Sequence, residues 1–222
     1  MNKARIEQFF ATLQAANPQP ESELHWRNPF ELLVAVILSA QATDAGVNRA
    51  TPALFAAAPT PQKMAALGIE GIESYIKTIG LFHNKARHLY AASQILIEQH
   101  GGQVPRTREA LEALPGVGRK TSNVILNVAF GEPTIAVDTH VFRVSCRTGL
   151  AAGKTPLEVE KRLLQRVPPH YMQHAHHWLI LHRRYICQAR QPRCWQCPVA
   201  GYCDFQPKTS APEKSRKKAA PS

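Results

Sequence analysis

Several things are scarce in this 222-residue chain, and each scarcity closes off a class of protein. The longest apolar run, Leu32 to Leu38, falls far short of the roughly 20 residues that cross a bilayer, so no membrane partner is expected. Charged residues are scattered through Met1 to Leu13, and no basic start, apolar core and small-residue cleavage site follow one another. A cytoplasmic protein is therefore expected. Apolar and polar residues nowhere alternate long enough to argue a strand, the best stretch being Thr134 to Val137. No internal repeat stands out. Acidic residues are few, 16 Asp plus Glu against 27 Lys plus Arg, which leaves a net charge of +11. The stretch 206–222 supplies five of the basic and one of the acidic residues, so the rest still carries 22 against 15, or +7. A basic excess spread over the folded part favours a polyanionic partner, nucleic acid above all.

What the chain does have is helical periodicity. Ile6, Phe9, Phe10 and Leu13 share one face of a first helix, which Asn17-Pro18-Gln19-Pro20 stops. Asn28-Pro29 opens a second that is apolar nearly all round and belongs at the centre of a domain. Asp44 can cap a third, running toward Phe55. Thr60-Pro61 opens a short helix to about Leu67, after which Gly68, Gly71 and Gly80 punctuate turns. An amphipathic helix from His83 to His100 ends at Gly101-Gly102, and a short one spans Thr107 to Ala113. Further patterns cover Thr139 to Thr148, Pro156 to Arg166 and Ala175 to Cys187. The reading is all-α, with a basic, Pro/Ser/Ala-rich disordered tail from about Lys208.

Two stretches carry chemistry. In Leu114-Pro-Gly-Val-Gly-Arg-Lys-Thr121, Pro115 and two glycines one residue apart make a tight turn with exposed amides. A helix starting near Arg119 points its positive dipole end at that turn, which makes a seat for a phosphate. Lys120 falls in the first turn of that helix, where amides and dipole disfavour a second positive charge. A lysine that spends time neutral is a nucleophile; the plain alternative is a solvated surface charge. Asp138, before Thr139-His140, has the N-cap position of the next helix, which suits a carboxylate. It is either a cap alone or the partner of an amine attacking a sugar carbon that becomes cationic.

The other stretch is Cys187-x6-Cys194-x2-Cys197-x5-Cys203. Four thiols so close together in a reducing compartment point to a metal centre. Structural zinc usually draws on two short Cys-x2-Cys knuckles, whereas one short spacing between two longer ones suits a loop wrapped around an iron-sulfur cubane; both remain open on spacing. Arg190 and Arg193, between the first two ligands, are phosphate contacts or solvated charges. Cys146 reads as a buried thiol, and His174, His176 and His177 as core or surface histidines rather than ligands.

The glycine turn and the cysteine loop together resemble the endonuclease III family of the helix-hairpin-helix superfamily of DNA glycosylases. Further matching motifs are Leu-Ser-Ala-Gln-Ala-Thr-Asp at 38–44, Tyr-Ile-Lys-Thr-Ile-Gly-Leu at 75–81 and Thr-Ile-Ala-Val-Asp-Thr-His at 134–140. The resemblance implies two helical lobes: a six-helix domain with the hairpin at 22–132, and an iron-sulfur domain from 1–21 and 133–211, followed by the basic tail 212–222. A DNA and active-site cleft would lie between them. It implies a bifunctional enzyme, excising oxidised pyrimidines from double-stranded DNA and cleaving at the abasic site by β-elimination. In that enzyme Lys120 would form the Schiff base with Asp138 assisting, and the Gly116 and Gly118 amides with Arg119 would hold the backbone. Gln41 and Leu81 would fill the gap left by a flipped nucleotide, and the four cysteines would hold a structural [4Fe-4S] cluster. A monomer at the nucleoid is expected. Departures from the family pattern are Ser122 in place of a small apolar residue, Phe82-His83 after Leu81, and the tail. The rival readings are a monofunctional glycosylase, which would have no lysine at 120, and a non-catalytic DNA-binding or redox-sensing module.

Overall fold

The computed structural model describes residues 1–212, and the regular structure in them is helical throughout, as expected. The helices are α1 (Lys3–Ala16), α2 (Pro29–Ser39), α3 (Asp44–Ala57), α4 (Pro61–Ile76), α5 (Phe82–His100), α6 (Arg108–Glu112), α7 (Arg119–Phe130), α8 (Thr139–Thr148), α9 (Pro156–Arg166) and α10 (Met172–Tyr185). Short 3-10 turns lie at Pro169–Tyr171, Cys194–Gln196 and Ala200–Tyr202. Beyond Pro212 the expected basic tail lies outside the described residues. By compactness the chain divides into Ser22–Glu132 and a unit made of Met1–Glu21 with the chain from Pro133 onward.

The 22–132 unit holds α2 to α7, and α2 is its axis. Every residue from Phe30 to Leu38 is buried, and the helix packs against α3, α5 and α7. Its start is tightly specified. Pro29 takes the first helical position, Asn28 Oδ1 accepts the Glu31 N–H at 2.9 Å, and the wholly buried Glu31 carboxylate receives the Arg27 backbone N–H at 2.8 Å and its guanidinium at 2.6 Å. An acid can be buried here because its lone pairs are satisfied by a charged, forked donor.

Two local readings of the sequence are corrected in this unit. The helix opened by Pro61 runs to Leu67 as expected and breaks at Gly68 (φ 65°), but a second arm follows to Ile76, burying Ile72 and Ile76. Gly71 is helical rather than a stop, because the apolar residues beyond it have a core to reach. The cap of α3 is Thr43, whose Oγ1 accepts the Gly46 N–H at 3.1 Å, so Asp44 becomes the first helical residue and is not the cap.

In the second unit α1 supplies Ile6, Phe9, Phe10 and Leu13 to a core shared with Tyr171, Trp178 and Leu179. The Phe10 ring stacks on Tyr171 at 5.6 Å between centroids, and the Trp178 indole N–H donates to the Asn17 carbonyl at 2.8 Å, closing the end of α1. Thr155 caps α9, which begins at Pro156 as expected.

Candidate functional site

Within the 22–132 unit the site is built on the turn between α6 and α7. Leu111, Leu114 and Val117 are buried and anchor it, with the Leu114 N–H on the Leu111 carbonyl at 3.1 Å and the Val117 N–H on the Leu114 carbonyl at 3.0 Å. Gly116 turns the chain at φ 81°, and a Cβ there would come within 3.0 Å of His88 Nδ1, so glycine is required twice over. Among the described residues the N–H groups of Gly116 and Gly118 find no backbone acceptor, and both glycines are exposed. Gly118 is the N-cap of α7, so these amides and the helix dipole converge on solvent. Arg119 and Lys120 stand exposed in the first turn.

Side chains behind the turn hold the two helices together. Arg108 on α6 donates to Asn123 Oδ1 at 2.9 Å. The buried Ser122 hydroxyl donates to Glu112 Oε1 at 3.0 Å, which gives this departure from the family pattern a structural partner.

Sequence reasoning missed Asp44 as more than a cap. Burial raises its carboxyl above the ordinary range and the Lys120 ammonium pulls it back, which places a carboxylate within electrostatic reach of the amine. The signal was present as two capping residues in succession, Thr43-Asp44, of which one had to be spare.

Two further residues are set apart by their backbones. Gln41 (φ 55°) and Leu81 (φ 62°) are the non-glycine residues of positive φ among those described. Leu81 is 57% exposed, a large apolar side chain held out on the corner before α5, and Gln41 is exposed on the corner after α2.

In the other unit Asp138 caps α8, its Oδ1 accepting the N–H groups of His140 at 2.9 Å and Val141 at 2.8 Å. Arg143, one turn on, has its Nε and one terminal nitrogen buried without a hydrogen-bond partner among the described residues. Burial, then Arg183 and Arg147, lower its guanidinium, while Cys187 and Asp138 oppose them.

Cys187, Cys194, Cys197 and Cys203 line one cavity of about 330 Å³ including its open mouth, together with Arg147, His182, Val199 and Phe205. Among the described residues no three Cys, His, Asp or Glu side chains are grouped to hold a single metal ion. Four sulfurs around a shared cavity suit a multi-iron group in which each cysteine takes a different iron. Burial, more than the neighbouring thiols, pushes Cys197 up to about 11, a setting whose logic a bound cationic centre would invert. Arg147 reaches Cys187 Sγ at 3.7 Å and the carbonyls of Gln188 at 2.7 Å and Ala189 at 3.0 Å, while its guanidinium lies 5.0 Å from the Phe205 ring. Arg190 and Arg193 are exposed on the loop between the first two cysteines. Cys146 is only half-buried, its Sγ toward the Ala151 and Gly153 carbonyls.

Residues 34–169 match the model of the HhH-GPD superfamily base excision DNA repair proteins, and residues 187–203 match the iron-sulfur binding domain of endonuclease III. The chain is 56% identical to endonuclease III of Haemophilus influenzae over 94% of its length and 99% of that protein. It is 55% identical to endonuclease III of Escherichia coli with the same coverage. Among solved structures it is similar to a trapped endonuclease III-DNA covalent intermediate (TM-score 0.85, 45% identity, 92% of this chain and 96% of that one). It is likewise similar to a non-covalent endonuclease III-DNA complex (TM-score 0.86, 43% identity, 98% and 99%).

Proposed function

The chain belongs to the endonuclease III family of HhH-GPD base excision repair proteins, and from that premise we propose that Lys120 is the nucleophile by which it excises damaged bases and nicks the strand. The protein is a DNA glycosylase and abasic-site lyase carrying a [4Fe-4S] cluster, and its partner is duplex DNA. Its substrates in this reading are oxidised pyrimidines and abasic sites. It works as a monomer in the cytoplasm, on the nucleoid. The observation that carries the reading is the placement of Lys120 in the first turn of α7, beside two outward amides and the Asp44 carboxylate.

The Gly116 and Gly118 amides, with Arg119, seat a backbone phosphate and so fix the sugar relative to the amine. Arg190 and Arg193 add phosphate contacts. The target nucleotide must leave the stack for its C1′ to be reached, and Leu81 and Gln41 take its place, one by stacking and one by hydrogen bonding. Lys120 Nζ then forms a bond to C1′ as the C1′–base bond breaks, the base leaving with the bonding pair and a proton. The Asp138 carboxylate stabilises the positive charge that gathers on the sugar. Ring opening leaves a protonated imine between Nζ and C1′. Loss of a C2′ proton sends electrons toward C3′, the C3′–O bond breaks with its pair going to the phosphate, and water later frees Lys120. Cys187, Cys194, Cys197 and Cys203 hold the cluster, which ties their loop into the fold and takes no part in these steps.

Borohydride trapping on a duplex with one abasic site tests this. Wild type is expected to give a covalent adduct and Lys120→Gln none, with duplex binding and melting unchanged, because an exposed lysine contributes little to stability. Wild type that binds without trapping would remove the Schiff base and leave a monofunctional glycosylase; an adduct in the variant would move the nucleophile elsewhere.

A further inference from the structure

A left-handed backbone is costly for an L-residue, and such residues persist where their surroundings over-determine them. The Gln41 and Leu81 corners share one such surrounding side chain. Lys85 sits one turn beyond Leu81 on α5, and its backbone N–H donates to the Leu81 carbonyl at 3.1 Å. Its side chain runs inward, where Nζ donates to the Leu38 carbonyl at 2.9 Å. Leu38 lies in the last turn of α2, three residues before Gln41. The ammonium thus sits on the negative end of α2 and satisfies a carbonyl that the helix end leaves without a partner.

Stability alone does not explain this lysine. It is 4% exposed, burial lowers its proton affinity, and among the described residues the Leu38 carbonyl is the acceptor recorded for its three donors. Burying an ammonium on one carbonyl costs free energy that an apolar side chain of the same length would not. What the lysine adds is a tie between two chain corners 40 residues apart in sequence.

We propose that Lys85 is a positioning residue that fixes the Gln41 and Leu81 corners to one another, so that both side chains enter the gap of an extruded nucleotide as one unit. The inference rests on the gap-filling roles assigned above. It separates Lys85 from the residues that touch DNA: its loss leaves the phosphate seat intact and loosens what enters the stack.

The test uses the full-length holoprotein with a duplex carrying a tetrahydrofuran abasic analogue opposite 2-aminopurine, whose fluorescence reports insertion. Base release is measured separately under single turnover on a thymine glycol duplex. Lys85→Met is expected to bind the duplex as wild type does, to lose most of the fluorescence change, and to release base about tenfold more slowly or worse. Lys85→Arg, which keeps a donor, should restore part of both. A Lys85→Met protein with wild-type melting and a wild-type fluorescence change overturns the proposal. Should that variant not fold, Gln41→Ala, Leu81→Ala and the double variant decide. A double loss no greater than the larger single loss supports a joined unit, and independent losses that multiply overturn it. If neither alanine variant changes the fluorescence, the gap-filling reading falls and takes this proposal with it. If both do and Lys85→Met alone does not, only the positioning role falls.

Discussion

Asp138 has one role seen in the structure and one proposed for it, and a single substitution can separate them. Its Oδ1 caps α8 through the His140 and Val141 amides, and its charge is the part proposed to act on the sugar. Asparagine caps a helix about as well as aspartate, whereas alanine loses about 0.5–2 kcal/mol. Asp138→Asn is therefore expected to melt within about 1 kcal/mol of wild type and to release base about a hundredfold more slowly or worse. Asp138→Ala should add a loss of stability. Single-turnover kinetics beside melting curves check both, and an active Asp138→Asn would reduce Asp138 to a cap. At this scale the sequence spoke clearly where a residue's backbone setting was forced. Gly-x-Gly before an apolar helix placed Lys120 in a first turn, because only glycine takes φ 81° over the His88 ring without strain. The backbone of Gln41 and Leu81, residues that the family resemblance had singled out, was not readable, since nothing in a glutamine or a leucine announces a left-handed conformation. Lys85 was equally hidden among the polar residues of α5, because burial of a charge is decided by which helix end arrives opposite it.

Among elements, those with punctuation at both ends were readable. The pattern from Pro156 marked the start of α9, and Asn28-Pro29 that of α2. The second arm of α4 was not, since three glycines in thirteen residues look like a chain of stops until the buried Ile72 and Ile76 are seen. The histidines of α10 were read as core or surface, and their setting now gives an acid dependence. Burial, with His174 a lesser contributor, lowers His177 from its ordinary 6.5 to about 4, and its Nδ1 has no hydrogen-bond partner among the described residues. The folded protein keeps this imidazole neutral at pH values where the unfolded chain protonates it. Its contribution to stability is thus whole above about 6.5 and shrinks as the pH falls toward about 4. Melting temperatures from pH 7.5 downward should fall less steeply for His177→Gln than for wild type, once each is referred to its own value at pH 7.5. Parallel curves would show that this side chain is solvated.

At the scale of the whole molecule the chain is built as an insertion: Ser22–Glu132 has its own core around α2, and the flanking segments share another. The four cysteines lie entirely in the flanking unit, so stripping iron with an oxidant and a chelator should act unequally. Amides from Cys187 to Cys203 and in α10 are expected to exchange faster by hydrogen-exchange mass spectrometry, while α2, α5 and α7 keep their protection. Uniform loss across both units would mean that they unfold together. The cysteine cluster and the hairpin were the legible landmarks of this arrangement. The return of α1 to the far end of the chain was not readable from residue patterns, since its apolar face fits any core equally well.

That return has a consequence during synthesis. The partners of Ile6, Phe9, Phe10 and Leu13 include Tyr171 and Trp178, which leave the ribosome some 160 residues after them. At about 5–20 residues per second the apolar face of α1 waits for roughly 10–30 seconds, while the inserted unit behind it can already close. The nascent chain therefore carries a sticky amphipathic helix ahead of a finished domain, and its last quarter both completes that helix's core and presents the thiols for iron. Slowing or pausing translation in this interval lengthens the exposure of that face and gives the unfinished core more time to associate wrongly.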